Sequence, residues 1–176
     1  MKKQVIATLV LSIFSLFLLS CSSSDQSSSE GKASSGSSAG KSGASGVVAA
    51  DLDGNRVSLD DYLGRGPVIL NFWGTWCPPC RYEIPDLVRI YEEYKPQGLE
   101  IVGLAINDRP GKVRAYAAEK GIEWIMLMAS REAAMAFQLG RGIPVTIFID
   151  RDGNEIGRKV GMGTYDEFKS YVERMI

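Results

Sequence analysis

The sequence predicts an α/β domain: a central sheet of mixed strand direction flanked by helices. Three observations predict it. Short apolar runs alternate with segments of helical period through the middle of the chain, the pattern of strands joined by crossover helices. Asp-Gly pairs, Asp53-Gly54 and Asp152-Gly153, divide strand-type segments near the two ends of that region, as hairpin turns do. The region itself, residues 47–176, has the size of one domain.

Taken in order, "LDGNRVSL" (Leu52 to Leu59) predicts a small N-terminal hairpin. "PVILNFW" (Pro67 to Trp73) is an apolar strand that leads directly into two cysteines. After them Ile84, Leu87, Val88 and Tyr91 recur at helical spacing, and the helix should stop near Pro96-Gln97-Gly98. "LEIVGLAI" (Leu99 to Ile106) is almost continuously apolar, as a strand covered on both faces should be. Pro110 to Lys120 reads as a helix closed by Gly121, and "EWIMLM" (Glu123 to Met128) as a strand. Arg131 to Leu139 reads as a helix capped by Ser130. "VTIFID" and "EIGRKVG" flank the second Asp-Gly turn, and Thr164 with Glu167 makes a capping box for a final helix.

The residues before this domain read differently. Lys2 and Lys3, followed by an apolar run from Val5 to Leu19, predict an export signal over residues 1–20. That run falls short of the roughly 20 residues a membrane-spanning helix needs. "LLSC" resembles a bacterial lipobox, which implies that Cys21 becomes the mature N-terminus and is acylated. From Ser22 to Gly46, 17 of 25 residues are Ser or Gly. Such a stretch buries too little surface to repay its ordering, so residues 21–46 are expected to be a lipidated flexible tether.

Without residues 1–20 the chain holds 18 basic and 21 acidic side chains and no basic run, so no nucleic-acid partner is expected. The chain has no histidine. That excludes Ser-His-Asp and Cys-His nucleophile systems and any histidine-ligated metal within it.

Chemistry concentrates in "NFWGTWCPPCRYEIP", Asn71 to Pro85. Cys77 falls where a strand ends and a helix begins, and proline is tolerated in a first helical turn. Unpaired N–H groups at that end favour a thiolate. Cys80, one turn on, is within disulfide reach and should be the more buried. The asymmetry predicts an attacking and a resolving sulfur. Two other readings stand beside it. A permanent staple would close too short a loop to stabilise much. A metal site would have two of four ligands and no histidine to complete it, so no metal is expected.

The stretch resembles the active site of thioredoxin-fold proteins, and within them the membrane-tethered TlpA/ResA-like thiol-disulfide oxidoreductases. The resemblance covers Val47 to Ile176: the N-terminal hairpin, the W-C-P-P-C centre, an inserted strand-helix segment, and "GIPVTIFID". It implies a thioredoxin-like fold and a Cys77–Cys80 redox disulfide. It implies that Pro144 is a cis proline beside the disulfide that shapes the substrate groove, together with Ile143, Trp76, Pro78 and Pro79. Thioredoxins have a proton-handling aspartate where this chain has Asn71. ResA-like members have instead a glutamate matching Glu83, which would take the proton of Cys80. Pro85 matches a helix kink of the family.

The resemblance further implies a lipid-anchored enzyme on the extracytoplasmic side of a bacterial membrane, acting as a monomer. It would reduce disulfides in exported proteins, apocytochrome c among them, and be recharged by an integral-membrane donor of the CcdA/DsbD kind. No nicotinamide or flavin motif is present, so no cofactor is expected. Two alternatives stand beside this reading. A peroxiredoxin-type peroxidase needs P-x-x-x-T/S-x-x-C, whereas Thr75 stands two before Cys77 with no proline in the required place. The other is a lipid-anchored binding module with an inert disulfide.

Overall fold

A computed structural model of the protein describes residues 45–140 and 142–176. The expected signal, Cys21 and the tether up to residue 44 lie outside the described residues.

The strands are β1 (Val48–Asp51), β2 (Arg56–Ser58), β3 (Val68–Trp73), β4 (Glu100–Ala105), β5 (Ile125–Met128), β6 (Val145–Ile149) and β7 (Glu155–Val160). The helices are α1 (Pro78–Tyr94), α2 (Pro110–Lys120), α3 (Arg131–Ala136) and α4 (Tyr165–Val172). The strands form a single sheet in the order β2-β1-β5-β4-β3-β6-β7. β3, β4 and β5 run parallel, while β6 pairs antiparallel with β3 and β1 pairs antiparallel with β5. All six residues of β3 are buried. With α1 and α4 over one face and apolar residues of α3 and its exit over the other, β3 has no wet side, which accounts for its unbroken apolar run.

The two hairpins share one turn. Asp51 accepts from the N–H groups of Asp53 and Asn55, both at 2.8 Å. Asp150 accepts from those of Asp152 and Asn154, both at 2.9 Å. The carboxylate satisfies two backbone donors that the tight turn leaves unpaired, so the sequence D-x-D-G-N recurs at both places.

Alternation along the strands splits the core in two. Ile69 and Trp73 face α1 and α4, with Ile84, Leu87 and Phe168. Val68, Leu70 and Phe72 face the other way, against Phe137, Val145 and Ile147. The capping box of α4 is present, with Thr164 and Glu167 bonded reciprocally. Three boundaries differ from expectation. The first strand of the N-terminal hairpin is Val48–Asp51, ahead of Leu52, which falls in the turn that Asp51 closes. α3 ends at Ala136 because Gln138 turns left-handed (φ 50°) and Phe137 is drawn into the core. β5 starts at Ile125 because Trp124 turns inward to meet the edge of Tyr91, ring centroids 5.5 Å apart. No helix among the described residues is long and apolar enough to cross a membrane.

Candidate active site

The loop after β3 is fixed before the cysteines begin. The Thr75 N–H donates to Asp108 Oδ2 at 2.6 Å, and the Trp76 indole N–H donates to the Ile106 carbonyl at 3.0 Å. Both partners lie just past the end of β4, so the strand parallel to β3 sets the loop's path. The indole folds back over Gly74, where a Cβ would stand 2.8 Å from Nε1. Any side chain at 74 would push Trp76 aside. Trp76 remains 55% exposed, an aromatic surface beside the disulfide.

Cys77 is the N-cap of α1, with Pro78 and Pro79 filling the first turn. Its sulfur accepts from the Cys80 N–H at 3.3 Å, so Sγ sits at the positive end of a 17-residue helix. Cys77 and Cys80 are joined by a disulfide with Cα atoms 5.3 Å apart. Cys77 keeps 3% exposure and Cys80 none, so an incoming group meets Cys77 first. The Ile143 carbonyl lies 3.7 Å from Cys77 Sγ, and the Ile143–Pro144 bond is cis. The Gly161 N–H donates to the Pro144 carbonyl at 2.9 Å, tying this loop to the end of β7. A groove of about 260 Å³ runs between Trp76, Ile106, Leu139 and Ile143. A larger cavity of about 610 Å³, between β1 and α3, has no cysteine in its lining and is remote from the chemistry.

One turn beyond Cys80 on α1, Glu83 is 1% exposed. Its Oε1 accepts from Asn71 Nδ2 at 2.9 Å and its Oε2 from the Gly163 N–H at 3.0 Å. Burial pushes its carboxyl up to about 7, against the opposing pull of the Gly163 N–H, the Asn71 amide and the Lys159 charge. A carboxyl in this range can both take and release a proton near neutral pH. Gly163 must be glycine for α4 to pack, since a Cβ there would meet the Phe168 ring at 2.3 Å.

Trp76, Cys77, Pro78, Pro79, Cys80, Ile143 and Pro144 thus gather at one end of the sheet, with Glu83 buried one helical turn after Cys80 on α1. Pro85 lies inside α1, where its missing N–H leaves the Arg81 carbonyl without its usual helical partner. Arg81 is exposed, its guanidinium 5.9 Å from the Tyr116 ring centroid. Thr146 and Gly163 were not singled out by sequence, nor were Ile106 and Asp108. Thr146 left a signal, as a polar residue in an otherwise apolar strand. Gly163 and Ile106 act through backbone groups and left none.

The family described as AhpC/TSA matches residues 42–154. The chain is 30% identical over 128 residues to the thiol-disulfide oxidoreductase ResA of Bacillus thuringiensis (strain Al Hakam), spanning 73% of each chain. It is 33% identical over 127 residues to ResA of Geobacillus thermodenitrificans, spanning 72% of each. Among solved structures it resembles a thiol:disulfide interchange protein of the thioredoxin family from Chlorobium tepidum. That match has a TM-score of 0.66 and 34% identity, over 73% of this chain and 92% of the other.

Proposed function

We propose a reaction for a chain that belongs to the AhpC/TSA family and, with its ResA relatives, to the thiol-disulfide oxidoreductases: it reduces disulfides in exported proteins. The observation that supports this most is the Cys77–Cys80 disulfide at the start of α1, with a buried carboxyl one turn below it. In the reduced enzyme the Cys77 thiolate attacks one sulfur of a client disulfide. A Cys77–client bond forms, the client S–S bond breaks, and the first client sulfur leaves as a thiolate. Cys80 then loses its proton to Glu83 and attacks Cys77 Sγ. The mixed disulfide breaks and the second client sulfur is released. Two electrons pass to the client, and the enzyme is left as the disulfide described above.

The cycle closes when a thiol donor in the membrane reduces that disulfide again. A lipid on Cys21 would hold the enzyme at the extracytoplasmic face where donor and exported clients meet, and the Ser/Gly tether would give it reach. Outside the cytoplasm disulfides form and persist, so a protein whose thiols must stay free there needs such a reductase. An apocytochrome c awaiting haem is a client of that kind.

The test is a redox titration of tryptophan fluorescence in thiol/disulfide buffers, repeated with peroxide as oxidant. The reading predicts a reversible two-electron transition at about −200 mV or more negative, the range of glutaredoxins and thioredoxin. A midpoint near about −120 mV would make the protein an oxidant. Oxidation by peroxide that outpaces disulfide exchange would make it a peroxidase, and no reversible transition would end the redox reading.

A further inference from the structure

Among the described residues, three polar or charged side chains are fully buried: Asn71, Glu83 and Thr146. They come from β3, α1 and β6, and they bind one another. Asn71 Nδ2 donates to Glu83 Oε1 at 2.9 Å and to Thr146 Oγ1 at 3.0 Å. Both amide hydrogens are thereby used, and Asn71 Oδ1 is buried without a donor among the described residues. A bare buried carbonyl costs stability, and what the amide gives in return is its two hydrogens, to Glu83 and to Thr146.

We propose that Asn71, braced by Thr146, is a positioning residue for the exchange reaction: its amide orients Glu83 Oε1 and favours the ionised carboxylate against the opposing effect of burial. This rests on the reading of Glu83 as the base for Cys80. A carboxylate has about four acceptor sites, and here one on each oxygen is taken, by Asn71 and by the Gly163 N–H. The remaining sites accept from no donor among the described residues, which leaves room for a proton. An N–H bonds an ionised carboxylate more strongly than a neutral acid, so the amide opposes the effect of burial. Turned over, the same amide would set Oδ1 against Glu83 Oε1, an arrangement acceptable only when that oxygen carries a proton. The Thr146 hydroxyl both donates and accepts, so it supports either orientation and the charge on Glu83 selects between them.

Lys159, whose charge acts on Glu83, and Asp86, one turn further along α1, are both already engaged. Lys159 on β7 is bound to Glu167 of α4 at 2.6 Å. Asp86 accepts from the Tyr165 N–H at 3.1 Å.

The experiment measures the rate of disulfide exchange against pH in the wild type, Asn71→Leu, Thr146→Val, Glu83→Gln and the double variant Asn71→Leu/Glu83→Gln. The wild type should show an inflection near 7. Asn71→Leu should move it to higher pH by about one unit, and Thr146→Val by less in the same direction. With Glu83→Gln already in place, Asn71→Leu should shift nothing further. An unmoved inflection in Asn71→Leu, or an equal shift in both backgrounds, overturns the positioning role while leaving Glu83 as base. A Glu83→Gln profile identical to wild type overturns both. Should Asn71→Leu fail to fold, Asn71→Asp keeps the shape and sets a second acid beside Glu83. Its profile should split into two steps as the pair shares a proton, and a single unshifted step would refute the proposal.

Discussion

The two faces of strand β3 are built from the same six residues to opposite ends. Val68, Leu70 and Phe72 enter a core layer that is apolar throughout, with the Phe72 and Phe137 ring centroids 5.0 Å apart. Ile69, Asn71 and Trp73 face α1, and the burial there is imperfect. The four buried side-chain atoms left without a partner among the described residues are Asn71 Oδ1, Trp73 Nε1, Tyr116 Oη and Trp124 Nε1. All four belong to this side of the sheet. Each unpaired group costs on the order of 1–3 kcal/mol. One face thus supplies stability, and the other gives part of it up around a disulfide and a carboxyl. Sites that tune protons tend to be found on such ground.

Substitutions on the two faces should separate these roles. Phe72→Ala, on the apolar face, should cost about 3–5 kcal/mol in urea unfolding while leaving the pH profile of exchange where it was. A shifted profile would show that the faces are not independent. On the site face the expected effect is smaller and depends on pH. The Glu83 carboxyl is raised from 4.5 to about 7 in the folded protein, so the fold favours its protonated form. The stability this confers is complete below about 4.5 and is lost as pH rises through about 7. Relative to Glu83→Gln, the oxidised wild type should therefore lose on the order of 2–3 kcal/mol between pH 4.5 and pH 8. Parallel stability curves for the two proteins would mean that Glu83 is not held in an unfavourable charged state.

Much of this was legible in the sequence because it rests on local rules. Two Asp-Gly turns, the Thr164 capping box and the apolar run into Cys77 each declare themselves within a few residues. The cysteine pair was readable for the same reason, since a strand end, two prolines and a helix start lie together in the chain. What could not be read is what the fold brings in from a distance. Glu83 was marked through its place after Cys80. Its real partners are Asn71, 12 positions back, and the Gly163 N–H, 80 positions on. In the sequence Asn71 stands out for what it lacks, a titrating group; in the structure it matters for the hydrogens it gives. Thr146, 75 positions from Asn71, could be suspected as a polar residue in a buried strand, but its partner could not be named. The ends of α3 and β5 were misplaced because Phe137 and Trp124 are pulled into the core by tertiary packing, which local propensity does not contain.

We propose that the two sulfurs have different jobs, Cys77 attacking and Cys80 resolving. The most direct test is to expose Cys77→Ala and Cys80→Ala to exported proteins bearing disulfides and to identify what each variant holds covalently by mass spectrometry. Cys80→Ala should accumulate mixed disulfides through Cys77, and Cys77→Ala should accumulate none. Trapping on Cys77→Ala alone, through Cys80, would contradict it.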